Sequence, residues 1–298
     1  MSMNSKAKGL SIAREDILNW SKHLDSERIL NGYLPEDAVP VTPSELKNVV
    51  AERLQHKGFI IVDVSHDKLF STLDPPHALL EFASTIGLSK PSVPSQYREG
   101  EKKQYYSADI NLISPVANSK HSTFDSIQPQ GIHTDETHAP INTIKTSLLY
   151  CKNPASKGGE NRIYDIVGAV YDLVQEDLDA ALSLFREDAF TKFSPNKPIS
   201  TTGPAVAFDT RGRLVTRYAQ IYCKWLDNQT VQKAAEFLKK RLSEEAPPFR
   251  HIALKLTAGQ ILVLANNQTA HDRTGFTLDN PPREVYRALF EDEPVKKP

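Results

Sequence analysis

Gly259-Gln260-Ile261-Leu262-Val263-Leu264-Ala265-Asn266-Asn267-Gln268-Thr269-Ala270-His271 joins a turn glycine to a wholly apolar run, and then to a polar exit that ends on a histidine. An unbroken apolar run of this length between turn signals reads as a strand covered on both faces. Working outward, Phe249–Leu256 reads as a strand turned into this one by Ala258-Gly259, and Arg283–Phe290 as a third strand that closes the chain. Upstream lie a strand at Phe59–Val64, another at Thr143–Cys151, and the turn Lys157-Gly158-Gly159. Ala205–Asp209 and Leu214–Tyr218 flank the turn Asp209-Thr210-Arg211-Gly212, which is a hairpin signal. Helical patterns are fewer. Thr42-Pro43-Ser44-Glu45 opens one that runs through Val49, Val50 and Leu54 to Gly58. Others cover Ala78–Thr85, Ile166–Val174, Leu178–Phe185, and a stretch capped by Asp227 and running to about Glu244. Strands dominate the second half without regular alternation of strand and helix, which argues against a doubly wound sheet. The expected fold is mainly β with helical decoration, around a jelly-roll (double-stranded β-helix) core.

Residues 1–40 read as a peripheral N-terminal arm of a single domain spanning 1–298. Residues 88–131 are rich in Ser, Pro, Gln and Tyr, lack clear periodicity, and lead directly into His133. A connection this long in a compact domain is expected to serve as an active-site lid.

The 36 basic and 37 acidic residues nearly cancel, so no basic field favours a nucleic-acid partner. No apolar stretch approaches the roughly 18–20 residues needed to span a bilayer, and Met1–Leu10 lacks the apolar core of a secretory signal. Cys151 and Cys223 are too few for a disulfide framework and point to a reducing cytoplasm.

Three motifs carry chemistry. In extended chain, His133 and Asp135 of Gly131-Ile132-His133-Thr134-Asp135-Glu136 point the same way and can reach one ion. Imidazole with carboxylate suits Fe(II) or Mn(II). With nine histidines in the chain this pair has little weight alone. His271, at the mouth of the apolar strand, can offer a third ligand from across a barrel. Arg283 and Arg287 share a strand face with Val285 between them. Guanidiniums facing a barrel interior need anionic partners, and a dicarboxylate cosubstrate would supply them.

Together, His133-Thr134-Asp135, Gly158-Gly159-Glu160-Asn161, Gly259 with its apolar strand, His271-Asp272-Arg273 and Arg283-x-x-x-Arg287 resemble the taurine dioxygenase/clavaminate synthase-like family in order and spacing. The resemblance covers roughly 58–64 and 128–290. The clavaminate synthase-like branch, which includes hydroxylases of free amino acids, is the more similar. The resemblance implies an Fe(II)-, 2-oxoglutarate- and O2-dependent oxygenase. It would hydroxylate an unactivated carbon of a small polar substrate, a free amino acid or derivative, with release of succinate and CO2. It further implies iron on His133, Asp135 and His271, and the distal carboxylate of 2-oxoglutarate on Arg283. Asn161 stands where relatives often carry a threonine that helps to hold that carboxylate. Arg287, Arg273 and Gln130 are placed near substrate. Related halogenases lack the carboxylate ligand, so Asp135 speaks against halogenation.

Desaturation or cyclisation with the same cofactors remains open, since the first steps are shared. Two other classes compete: a jelly-roll binding protein without activity, which loss of a ligand would mark, and a Zn(II) hydrolase, which would leave Arg283 without a role. Among the remaining residues, His138 is expected in a loop beside the site and His251 across a strand pair. His56, His66, His77 and His121 are read as surface or structural. Tyr105-Tyr106 and Gln128 lie in or next to the lid.

Overall fold

The computed structural model describes residues 14–24, 39–40, 45–93, 106–107, 109–115, 126–194, 199–243, 245 and 250–295. The helices are α1 (residues 14–23), α2 (Leu46–Lys57), α3 (Lys68–Thr72), α4 (Pro75–Thr85), α5 (Ile166–Glu176), α6 (Leu178–Ser183) and α7 (Gln229–Arg241). The strands of the first half are β1 (Val39–Pro40), β2 (Phe59–Asp63), β3 (Tyr106–Ser107), β4 (Ile110–Ile113) and β5 (Thr146–Asn153). Next come β6 (Asn161–Tyr164), β7 (Phe190–Phe193), β8 (Ser200–Gly203), β9 (Val206–Phe208), β10 (Leu214–Thr216) and β11 (Cys223–Trp225). The chain closes with β12 (His251–Leu254), β13 (Gln260–Ala265), β14 (Ala270–Arg273) and β15 (Glu284–Phe290).

The apolar run after Gly259 is β13, set between β2 and β5 in a seven-stranded sheet ordered β1-β2-β13-β5-β15-β4-β3. Its unbroken hydrophobicity has a physical cause, because both faces of the sheet are covered. Ile261 and Val263 join Leu148, Tyr150, Ala288 and Phe290 against the helices α2 and α4. Leu262 and Leu264 face the other way, with Leu149, Cys151 and Val285, and meet Ile163 and Leu254 of a smaller sheet ordered β12-β6-β14. Apart from β1–β2, every described strand pair is antiparallel. The fold is the jelly roll expected from the sequence, with α5, α6 and α7 packed as a separate apolar cluster on its flank.

Several local expectations need adjustment. α7 is capped by Asn228, whose side chain accepts from the N–H groups of Thr230 and Val231, and not by Asp227. The helix ends at Arg241, short of Glu244. Glu45 stands at the start of α2 without a side-chain cap bond, and Thr42, Pro43 and Ser44 lie outside the described residues. Gly58 closes that helix in the left-handed conformation, at φ 76°. The segment 88–131 is partly built into the sheet, because Ile110–Ile113 forms β4 and pairs with β15. His121 and Tyr105 lie outside the described residues. The sheet β11-β7-β8 was not anticipated, because its strands are short and mixed in character.

Candidate active site

His271 is not at a strand mouth but inside β14, which pairs with β6 on one side. On the other side its backbone exchanges both hydrogen bonds with His133, at 2.9 and 2.8 Å. Two histidines in an antiparallel bridge necessarily project together, and their ring centroids are 4.7 Å apart. Asp135 joins them from two residues further along. Ligand atoms of His133, Asp135 and His271 all lie within 4.8 Å of one another. His271 Nε2 is 3.8 Å from one Asp135 oxygen, and His133 Nε2 is 4.0 Å from the other. The Nδ1 of His133 lies 2.8 Å from the Gly131 carbonyl, so Nδ1–H donates there and leaves the Nε2 lone pair for a metal.

The surroundings hold these groups in their ligating protonation states. Burial is the main reason that the pKa of His271 falls to about 4, against a smaller opposing pull from Asp135. Burial likewise lowers the His133 pKa. At Asp135 burial alone would raise the pKa, but Arg287, then the two histidines and a Ser147 hydrogen bond, hold the carboxyl well below the usual range. Arg287 Nη1 donates to one oxygen of Asp135 at 2.5 Å, and Ser147 Oγ to the other at 2.8 Å. Two neutral imidazoles and a carboxylate on one side of a gap therefore await a divalent cation, and the donor set fits Fe(II).

Asn266, which sequence reasoning missed, fixes the backbone beneath the carboxylate. Its side-chain oxygen accepts from the Asp135 N–H at 2.6 Å, and its amide donates to the carbonyls of Asp135 and Ile144. The signal was two consecutive amides, Asn266 and Asn267, at the end of an apolar strand. Both are buried, and buried amides must find partners.

Behind the triad the barrel interior forms a chamber to which Arg283, Arg287, Leu149 and Asn161 contribute, with Arg273 and Gln130 also on its lining. Arg283 is 5% exposed, and its Nη1 has no hydrogen-bond partner. The Asn161 amide nitrogen is also buried without one. Arg273 donates to the carbonyls of Ser126 and Gln128, tying the residues before His133 to β14. The Phe276 ring meets both guanidiniums, with Arg273 at 4.6 Å and Arg283 at 5.3 Å from its centroid. The Gly158-Gly159 turn makes this possible, because a Cβ on Gly158 would stand 2.1 Å from the Gly275 carbonyl oxygen. Burial, then the like charge of Arg283, brings the Arg273 pKa down to about 9. His138 lies in a turn region beside the site and His251 on β12, stacked on Tyr164 at 5.9 Å. His56, His66 and His77 are exposed, and His77 pairs with Asp74.

Residues 33–289 match the family model described as taurine catabolism dioxygenase TauD, TfdA family. The chain belongs to that family. Two curated relatives are uridine-5′-phosphate dioxygenases. The one from Amycolatopsis sp. is 32% identical over 262 residues, 85% of this chain and 90% of the relative. The one from Streptomyces sp. is 30% identical over 255 residues, 82% and 89% of the two chains. Among solved structures, asparagine oxygenase with Fe(II), 2S,3S-3-hydroxyasparagine and succinate superimposes with a TM-score of 0.64 at 17% identity. That match covers 83% of this chain and 79% of the other. The oxygenase OrfP with Fe and α-ketoglutaric acid gives 0.62 at 14% identity, covering 84% and 81%. This TauD-family chain is thus a non-haem Fe(II)- and 2-oxoglutarate-dependent dioxygenase, with a group able to hold the metal at His133, Asp135 and His271. The bare binding-protein and zinc-hydrolase readings give way to it. No helix among the described residues is long and apolar enough to cross a membrane.

Proposed function

We propose that this dioxygenase oxidises a carbon of a small phosphorylated substrate of the nucleoside monophosphate class. His133, Asp135 and His271 would hold the iron, while Arg283 and Asn161 would hold the distal carboxylate of 2-oxoglutarate. The observation that carries the cosubstrate assignment is a charge count. Three guanidiniums line the chamber wall, those of Arg273, Arg283 and Arg287; of the two acids beside them, Asp272 is closed by Arg162 and Asp135 takes Arg287. Arg273 and Arg283 are thus left without an acid partner among the described residues, and with iron on the triad the chamber is strongly positive, which suits a dicarboxylate. Once bound, iron and 2-oxoglutarate activate O2 with release of succinate and CO2, and the oxidising power is theirs. The protein's share is positional. Arg287 and Ser147 orient Asp135, Asn266 fixes its backbone, and Arg273 ties 126–128 to the barrel. Gln130 on the rim is placed to meet substrate, and residues 126–130, the described stretch before His133, would help to exclude water in one oxygenase unit in the cytoplasm.

The substrate class follows the two relatives, which are about a third identical over most of both chains. The free amino acid expected from the sequence has support only from neighbours that share the fold at 14–17% identity. The experiment is succinate release by the Fe(II)-loaded enzyme with 2-oxoglutarate, comparing uridine 5′-monophosphate with uridine and with asparagine and arginine. Release that depends on the monophosphate supports the proposal. Release driven by an amino acid alone would return the enzyme to the earlier expectation.

A further inference from the structure

A second set of cations borders the triad from outside the barrel, and none of the roles above uses it. The segment after β10 runs beside the metal-ligand loop. Thr134 N–H donates to the Tyr218 carbonyl at 2.9 Å, Ala219 bridges His133, and Gln220 bonds Ile132 through backbone and side chain. Lys192 on β7 reaches that segment and donates to the Ile221 carbonyl at 2.8 Å, with its ammonium 5.5 Å from the centre of the Tyr222 ring. On the other flank Arg217 is 4% exposed, lies 5.3 Å from the Phe190 ring centre, and sets Nη1 at 3.4 Å from the carbonyl of Ala139. Its Nε and Nη2 are buried without a partner, as is Nδ1 of the adjacent His138.

Among the described residues no carboxylate forms an ion pair with Lys192 or Arg217. Glu187 influences Arg217 only from beyond ion-pair range. A buried guanidinium with two idle nitrogens is costly unless an anion completes it. The three groups also share one neighbourhood. Lys192 bonds the Ile221 carbonyl two residues past Ala219, which bridges His133, and Arg217 reaches the carbonyl of Ala139, next to His138. At the rim Tyr222 is 44% exposed and held at φ 54°, a left-handed conformation that a bulky residue rarely adopts and that favours functional positions.

We infer that Lys192, Arg217 and His138 form the receptor for the phosphate of a phosphomonoester substrate, with Tyr222 at its edge beside the nucleoside. This rests on the monophosphate reading above and assigns it to residues. The barrel arginines are assigned to Asp135 and 2-oxoglutarate in the reading above, so the phosphate is placed on this second set. A substrate reaching from this receptor to the iron would pass the Ala219–His133 bridge, which Lys192 approaches through its bond to the Ile221 carbonyl. An ammonium with donors to spare and a planar guanidinium edge suit a tetrahedral dianion.

The test uses the Fe(II)- and 2-oxoglutarate-loaded enzyme without oxygen, measuring the Kd of uridine 5′-monophosphate, uridine and inorganic phosphate by calorimetry. The wild type should bind the monophosphate more tightly than uridine, with inorganic phosphate competing. Lys192→Met and Arg217→Met should each weaken the monophosphate by about 10- to 100-fold and leave uridine and 2-oxoglutarate unchanged. Lys192→Arg should recover most of the loss. Unchanged monophosphate binding in both Met variants, with phosphate still competing, would overturn the assignment and leave the substrate class intact. Phosphate binding that requires Lys192, in an enzyme that ignores the nucleotide, would keep the receptor and discard the nucleotide. If the wild type binds neither monophosphate nor phosphate, both ideas fall.

Discussion

β14 carries two buried charged residues side by side, and the protein treats them oppositely. Asp272 points out of the barrel and meets Arg162 in a two-pronged pair at 2.7 and 2.6 Å. Arg273, the next residue, lines the chamber and, among the described residues, has no acid partner and donates to two carbonyls. The contrast extends to other buried arginines. Arg250, at 2% exposure, is closed by Asp165 and Asp172, while Arg283, at 5%, has an idle Nη1. Where the protein buries charge to hold itself together, it supplies the counter-charge from its own chain. Arg283, proposed to take its counter-charge from 2-oxoglutarate, keeps a nitrogen unpaired among the described residues. Burial alone does not separate the two classes, but hydrogen-bond completeness does.

That rule can be broken at several points, beginning with the triad. Asp135→Ala removes the one carboxylate among the proposed ligands and takes from Arg287 its bond to that carboxylate. Iron retention and succinate release should both fall below detection, and near-normal turnover in this variant would remove Asp135 from the site. Arg250→Ala strands two acids in a structural network and should lower folding stability by about 3–5 kcal/mol. Denaturant unfolding would show this, with the 2-oxoglutarate Kd unchanged in the folded fraction. Arg283→Ala should do the reverse. The Kd of 2-oxoglutarate should rise on the order of 100-fold, read from the weak visible band of the anaerobic chelate, with little change in the unfolding midpoint. If Arg283→Ala mainly unfolds the protein and Arg250→Ala mainly loses 2-oxoglutarate, the contrast is drawn the wrong way round. Ser147→Ala removes one bond to Asp135 and should weaken iron by about 10-fold.

A smaller effect is expected from pH. His271 titrates near 4 in the fold, chiefly through burial, against an ordinary 6.5. The unfolded chain therefore takes up a proton that the fold refuses. In metal-free protein this contribution to stability is complete above about pH 6.5 and is lost as pH falls toward 4. Melting temperature in a chelating buffer should decline across that window, and a rise would contradict the buried neutral imidazole.

The readable parts of the sequence were those in which local chemistry repeats a rule. The apolar β13 announced a strand with two covered faces, and alternation in β15 put Arg287 on the same side as Val285. The ordered series from His133 to Arg287 carried the family resemblance that the comparisons then established. Other features were silent for definite reasons. β14 is a four-residue strand in which one alanine precedes three polar or charged residues, so neither hydrophobicity nor periodicity marks it, and His271 looked like the end of its predecessor. Asn266 and Ser147 act through contacts 131 and 12 residues away in the chain. Their roles depend on which strands lie side by side.

By itself, then, the sequence determined the strand-rich class, the donor types and the pairing of His133 with Asp135 across an extended step, because side-chain alternation is a local property of the chain. Only the tertiary structure decided which arginines have every nitrogen paired among the described residues and which do not. It also brought Lys192 and Arg217 to the border of the metal-ligand loop. Charge compensation is settled by distances through space, between residues that the sequence keeps far apart.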